Sequence, residues 1–291
     1  MPELPEVQTT VSGLNRVLHG LIINDVWTEY NSPYFYGSNT IKDPKYFKYF
    51  KKTLKGAKID SVSRRAKNIL IHLSNKKTIL IHMKMTGHIM YGDYNKTDPF
   101  NRHIRLIFYL SNGKTLDLCD SRKFAKITLL DTETMHDTEH LKGIGPEPLS
   151  KDFTFTVFKN QLNKKPQGKI KLVLMDQSII AGIGNIYADE SLWRAGIHPE
   201  NLVKNITEIK LKELYKSIHT TLSRGIDFGG DSMSDYRNIH GERGKFQEQH
   251  KAYRKTGTAC LKPKCKGKII RIVVGGRGTH FCNVHQGLFI K

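Results

Sequence analysis

The chain opens Met1-Pro2-Glu3-Leu4-Pro5-Glu6-Val7, and the first residue able to do chemistry is Pro2. Proline at the second position is small enough to permit removal of Met1, which would turn its ring nitrogen into a free secondary amine. An α-amino group titrates at about pH 8 in the unperturbed state, so a useful fraction is neutral and nucleophilic at physiological pH, unlike a lysine at about 10.4. Glu3 and Glu6 follow within four residues. A pair of carboxyl groups beside an amine suits attack on a sugar carbon with accompanying proton transfers. The same residues also make an ordinary helix start, with Pro in the first turn and Glu near the positive end of the helix dipole. On the local residues alone both readings stand.

The second cluster is Cys260-x4-Cys265-x16-Cys282-x2-His285. Two ligand pairs separated by enough chain for a β-hairpin suit a closed tetrahedral site holding one structural zinc ion. The intervening Gly275-Gly276-Arg277-Gly278 has little apolar material for a core, so metal binding would supply much of the hairpin's folding energy. His280 competes with His285 as fourth ligand; His285 is preferred because it stands in the ligand turn, three residues after Cys282. The alternative is a set of free buried thiols. Cys119 stands apart, and no organic cofactor is expected.

Several elements must position these residues. A short extended start leads into a helix from about Pro5, with Val7, Val11, Leu14 and Leu18 on one face and Gly20 closing it. From Lys58 to about Leu130 the runs Ile69–Leu73, Thr78–His82 and His103–Leu110, with Asn112-Gly113 as a hairpin turn, predict an antiparallel sandwich or flattened barrel. Residues 136–150 form a polar linker ending in Gly143-Ile144-Gly145-Pro146. The period is helical from Lys151 to Gly225, interrupted by Gly182-Ile183-Gly184, and Phe228 to Gly244 is a glycine-rich loop long enough to be functional. The expected domains are therefore 1–135, a helical domain 151–250 carrying the loop 228–244, and a metal-binding finger 251–291, with residues 231–291 forming a basic tail.

Across 291 residues, 47 Lys+Arg against 27 Asp+Glu give 47 − 27 = +20, a field that draws polyanions. Nucleic acid is the expected partner. Hydrophobic content of 38% and charged content of 25% exclude disordered and fibrous classes. No apolar run reaches membrane-spanning length and residues 1–20 lack a secretory pattern, so no membrane partner and a cytoplasmic setting with reduced cysteines are expected.

Three motifs occur in order: Pro2-Glu3-Leu4-Pro5-Glu6-Val7, the run Asp176-Gln177-x3-Ala181-Gly182-Ile183-Gly184-Asn185-Ile186-Tyr187-Ala188-Asp189-Glu190, and Gly276-Arg277-Gly278-Thr279-His280-Phe281-Cys282. Together they resemble formamidopyrimidine-DNA glycosylase over essentially the whole chain. The resemblance implies an α+β multidomain fold: an N-terminal antiparallel β-sandwich with flanking helices, a helix-two-turns-helix domain and a C-terminal β-hairpin zinc finger. It implies a bifunctional DNA glycosylase/AP lyase of base excision repair, acting as a monomer at the nucleoid on double-stranded DNA that contains an oxidised base. In that chemistry Pro2 attacks C1′ of a flipped nucleotide to give a Schiff base, followed by β,δ-elimination. Glu3 moves protons and Glu6 positions the site.

Residue by residue, the resemblance implies further roles. Lys67 reaches a phosphate and assists base removal, Asn185 holds a phosphate in the glycine-broken turn, and Arg277 clamps phosphates from the hairpin tip. Met85, Arg122 and Phe124 fill the hole left by the extruded base. Lys123 stands where the family's Asp-Pro-Arg-Arg-Phe-Gly carries a second arginine, and so loses a bidentate grip. The loop 228–244, which the resemblance implies closes over the lesion, has Asp231 and Ser232 where the family usually has two threonines, and His285 replaces a fourth cysteine. An endonuclease VIII-type enzyme for oxidised pyrimidines and a non-catalytic damaged-DNA-binding protein are the alternatives. Arg122, Phe124 and the long loop favour the purine enzyme over the first; intact Pro2, Glu3 and Lys67 oppose the second.

Overall fold

A computed structural model describes residues 1–30 and 40–289. The chain divides into two compact units, Met1–Lys142 with Phe228–Lys245, and Gly143–Asp227 with Phe246–Lys291.

In the first unit, helix α1 (Leu4–Leu18) turns Leu4, Val7, Val11, Leu14 and Leu18 inward. Gly20, at φ +80°, closes it in the left-handed conformation that glycine adopts without strain. Two four-stranded antiparallel sheets follow. One has the order β1 (Ile23–Thr28), β6 (Ile104–Leu110), β7 (Thr115–Cys119), β5 (His88–Tyr91). The other runs β2 (Ile59–Arg65), β3 (Asn68–Leu73), β4 (Lys77–His82), β8 (Lys126–Asp131). One apolar core joins α1, both sheets and Phe50 and Leu54 of α2 (Pro44–Leu54). Strand β1 and helix α2 precede the stretch expected to be β, because β1 is short and α2 is rich in lysine and aromatics rather than cleanly periodic.

Helix α1 is fixed to the edge strand β2. The Asn15 side chain accepts from Val62 N–H at 2.8 Å and donates to Val62 C=O, as a neighbouring strand would. Arg64 Nε donates to Gln8 Oε1 at 2.9 Å. The first turn of α1 therefore cannot shift along the sheet without breaking strand-like bonds.

Residues 228–245, placed with the helical segment on sequence grounds, group with the first unit. Ile239 enters its core and packs on Gly13, where an added Cβ would come within 3.0 Å of it. Ile239 C=O accepts from Tyr91 N–H at 2.8 Å, and His240 C=O from Asn95 N–H at 3.0 Å. Arg237 is buried in an ion pair with Asp98 at 2.6 Å, lies 4.7 Å over the Phe100 ring, and donates to Ser234 C=O and Tyr236 C=O. Only Met233 and Ser234, with half-buried Asp235, leave this frame near the loop's start.

The second unit holds α3 (Phe155–Leu162), α4 (Ile170–Met175), α5 (Asn185–Ala195), α6 (Glu208–Asp227) and the hairpin β9 (Ile269–Val274) and β10 (Arg277–Cys282). Buried Tyr187 of α5 stacks on Phe246 with ring centroids 4.9 Å apart, and Gly225 of α6 is required there because a Cβ would meet the Tyr187 ring at 2.5 Å.

His88 supports the loop at one remove. Its Nε2 lies 2.9 Å from Asn101 Oδ1, and Asn101 Nδ2 donates to Gly241 C=O at 3.0 Å. Burial pushes the His88 imidazole down to about 4, with Arg237 and Asp235 the charged loop groups that act on it. The unfolded chain, with His at about 6.5, takes up that proton first. Stability is thus fully present above about pH 6.5 and falls by roughly 1.4 kcal/mol per pH unit for this proton as the pH drops toward 4. In urea unfolding of the full chain, His88→Gln is expected to lose one proton's share of that slope; an unchanged slope would contradict the assignment.

Candidate active site and metal centre

Glu6 organises the N-terminal site. Glu3 caps α1 in extended backbone (φ −100°, ψ −170°), and its N–H donates to Glu6 Oε2 at 2.7 Å. The other oxygen, Oε1, accepts from Asp231 N–H at 2.8 Å. One carboxylate therefore ties the helix start to the loop. Gly230, at φ +85°, permits this, since a Cβ would lie 3.0 Å from both Glu6 Cγ and Tyr236 Cε1. Thr10 Oγ1 donates to Glu6 C=O at 3.0 Å and lies 3.5 Å from the Tyr236 hydroxyl, whose pKa burial pushes up. Met1 is 39% exposed, whereas Pro2, Glu3, Glu6, Asp231, Ser232 and Tyr236 are buried.

Asp231 and Ser232 are structural parts of the loop neck. Asp231 Oδ1 accepts from Met233 N–H at 3.1 Å, and Ser232 Oγ accepts from Gly244 N–H and donates to Tyr236 C=O, both at 2.8 Å. Phe228 C=O and Lys245 N–H close the neck at 2.8 Å.

Lys67 follows Ala66 (φ +52°) in the turn between β2 and β3, and its side chain is buried rather than solvated. His82, at the end of neighbouring β4, is pushed down to about 3 by burial first, then by Lys84 and Lys67. It is neutral, and its Nδ1 accepts from Lys84 N–H at 3.0 Å.

Met85 and Phe124 are 42% and 48% exposed, costly for large apolar groups on a protein in water. The Arg122 guanidinium lies 4.5 Å over the Phe124 ring. Asp120, fully buried and not singled out from the sequence, builds the turn that projects them. Its carboxylate accepts from the Tyr30 hydroxyl at 2.7 Å, from Ala125 N–H at 2.8 Å and from Thr86 Oγ1, while Thr86 Oγ1 accepts from Arg122 N–H at 3.2 Å. The Met85 and Arg122 turns are thus one assembly. Burial and Asp120 push the Tyr30 hydroxyl up, so it keeps its proton. Lys123 takes a left-handed φ of +56° and sits 3.2 Å from Glu29.

In the second unit Gly184 is the cap of α5 and Asn185 the first helical residue. Asn185 Nδ2 donates to Gly278 C=O at 3.0 Å, joining the helix start to the hairpin. Beneath it, buried Lys171 donates to Asp189 at 2.6 Å and Thr279 Oγ1 at 2.7 Å, and the other Asp189 oxygen accepts from His280 N–H at 2.8 Å. Glu190 accepts from the N–H groups of Lys251, Ala252 and Tyr253. Arg277 is exposed at the tip, after Gly275 (φ +55°) and Gly276 (φ +73°).

The ligand atoms of Cys260, Cys265, Cys282 and His285 lie within 4.8 Å of one another. His280 is engaged with Asp189 instead, at 3.1 Å through Nδ1. Cys265 and Cys282 sulfurs are 3.6 Å apart, and His285 Nδ1 is 3.3 Å from the Cys260 sulfur. Zn–S bonds of about 2.3 Å would give tetrahedral edges near 3.8 Å, so the four donors already match the ion. Their surroundings fit as well. Gly267 and Val284 N–H groups donate to the Cys265 and Cys282 sulfurs at 3.4 Å, and His285 Nε2 donates to Trp193 C=O at 3.0 Å, leaving Nδ1 as donor to metal. A Cβ at Gly267 would lie 2.6 Å from the Cys282 sulfur.

Residues 1–127 match the family model described as the formamidopyrimidine-DNA glycosylase N-terminal domain, and residues 144–237 match its H2TH domain. The formamidopyrimidine-DNA glycosylase of Pelotomaculum thermopropionicum is 39% identical over 286 residues, covering 98% of this chain and 99% of that protein. That of Bacillus subtilis is 38% identical, covering 97% and 98%. Lactococcus lactis Fpg bound to DNA containing an abasic site superimposes with a TM-score of 0.83 at 33% identity, covering 98% and 99%. MutM in complex with DNA containing carbocyclic 8-oxo-G gives 0.82 at 33% identity, covering 98% and 100%.

His285→Ala removes one donor and is expected to lower the metal content measured by atomic emission from one zinc per chain toward zero, with loss of β9–β10 order and weaker DNA binding. His280→Ala should keep the metal. The reverse pattern would move the fourth ligand to His280.

Proposed function

Because the chain belongs to the formamidopyrimidine-DNA glycosylase family, we propose that it is a bifunctional DNA glycosylase/AP lyase removing 8-oxoguanine and formamidopyrimidines from duplex DNA. The observation that carries this reading is the buried start of α1, where buried Pro2 precedes Glu3 and the Glu6 carboxylate ties the Glu3 N–H to the loop. On removal of Met1 the Pro2 nitrogen lone pair attacks C1′ of the flipped nucleotide. The bond from C1′ to the base breaks, its electrons leave with the base, and Glu3 supplies the proton. The attached nitrogen then loses its proton, and its lone pair forms the C1′=N iminium as the C1′–O4′ bond breaks and O4′ takes a proton, opening the sugar ring. The iminium acidifies C2′; loss of that proton expels the 3′ phosphate, and a second elimination expels the 5′ phosphate.

Glu6 positions rather than reacts, because both its oxygens are engaged by backbone N–H groups. Exposed Met85 and Phe124 fill the vacated stack and Arg122 reads the unpaired base, recovering part of the cost of unstacking. Lys67 and Lys123 meet phosphates near the sugar. Asn185 and Arg277, held together through Gly278, engage phosphates from the second unit. A zinc ion in the Cys260, Cys265, Cys282 and His285 site supplies rigidity, not reaction chemistry. Among the described residues no helix is long and apolar enough to cross a membrane. We place the enzyme in the cytoplasm, at the nucleoid, as a monomer.

Borohydride trapping on duplex DNA with 8-oxoguanine opposite cytosine tests this. The chain lacking Met1 should form a covalent adduct, Pro2→Gly should reduce it strongly, and Glu3→Gln should slow base release by about 10²–10⁴-fold. Absence of any adduct on oxidised bases would overturn the reading.

A further inference from the structure

At the opposite end of α5 from Asn185, roughly 14 Å along the helix at about 1.5 Å per residue, the second unit holds a cavity of about 580 Å³. Arg194, Lys210, Lys216 and Lys262 line it, with the hydroxyls of Ser217 and Thr220. Glu213 is the one carboxylate in the lining, and it is already paired with Lys210 at 2.6 Å. His285 forms part of the wall, so a zinc-loaded site of three thiolates contributes one further negative charge. Four cations against these two negative charges leave a surplus of about +2.

Among the described residues no carboxylate lies within ion-pair distance of Arg194, Lys216 or Lys262. Lys262 and Lys210 are pinned by the carbonyl end of α5, Lys262 Nζ donating to Arg194 C=O at 2.7 Å and Lys210 Nζ to Ala195 C=O at 3.3 Å. Lys262 also lies 5.3 Å over the Trp193 ring. Burial first, then repulsion from Arg224, holds the Arg194 guanidinium below its usual range, with Glu190 acting the other way from beyond ion-pair distance. The cations are crowded against one another with donors facing an open volume.

We propose that this cavity binds a multiply charged phosphoryl group of mononucleotide size, apart from the duplex phosphates assigned to Asn185 and Arg277. A phosphomonoester carries up to two negative charges and three acceptor oxygens, which match the surplus and the mixture of guanidinium, ammonium and hydroxyl donors better than a single carboxylate does. The volume lies in the range of about 300–1,000 Å³ usual for small-molecule sites, leaving room for an attached nucleoside. The shared chemistry is available from a free nucleotide or from the phosphorylated end of a DNA strand.

Isothermal titration of the zinc-loaded full chain with inorganic phosphate, adenosine 5′-monophosphate and a 5′-phosphorylated dinucleotide tests the site. At low salt at least one nucleotide probe should bind with a Kd below about 1 mM, and Lys216→Glu and Arg194→Gln should each weaken it by about tenfold or more, with metal content unchanged. Lys216 is exposed on α6, so its variant tests the site without burdening the fold. Tighter binding of the dinucleotide identifies a strand end as the source, and tighter binding of the monophosphate a free nucleotide. Either supports the site. No binding by any probe, or binding that both variants leave unchanged, would overturn it.

Discussion

The Glu6 carboxylate is the constraint on which the N-terminal site depends. One oxygen takes the Glu3 N–H at the start of α1 and the other takes the Asp231 N–H, from a residue 225 positions later. A buried carboxylate is tolerable only when such donors replace water, and each charge-assisted bond of this kind contributes roughly 1.5–3 kcal/mol. Other features of the site follow from it. Gly230 must lack a side chain to let the loop approach, Tyr236 fills the space beside it, and Arg237 with Asp98 keeps the loop on the same unit as the amine. The residues proposed to react and the 228–245 loop thus share one rigid support.

The second unit solves a different problem with the same means. Exposed Arg277, proposed to grip phosphates, calls for a fixed tip, and a hairpin with few apolar residues cannot fix itself. The metal site closes one end of it, while Asn185, Lys171 and Asp189 bond the other end to α4 and α5. The Lys171–Asp189 pair is fully buried, so its worth lies in the register it specifies more than in net stability.

What could be read from the sequence depended on how local the physics is. The metal ligands were legible because thiol and imidazole spacing carries the chemistry by itself, and the geometry selects His285 over His280. The α1 stripe of Val7, Val11, Leu14 and Leu18 was legible from its period alone. Pro2, Glu3 and Glu6 were ambiguous locally, since they do form a helix start with a capping interaction; only the resemblance separated the two readings. Asp120, Thr86 and Tyr30 were invisible because their partners lie 34 to 90 positions away. The grouping of 228–245 with the first unit was hidden for the same reason, as Ile239 and Arg237 find their partners near residues 13 and 98.

The central claim is that Glu6 couples the amine-bearing helix start to the loop. Amide hydrogen exchange of Glu6→Gln tests it most directly, because the substitution keeps size and shape but can present an acceptor to only one of the two N–H groups. Protection at Asp231 or Glu3, and with it through 230–236, should fall by roughly 10- to 100-fold, the equivalent of about 1.4–2.7 kcal/mol, while β3 and β4 stay protected. Unchanged exchange at both amides would contradict the account.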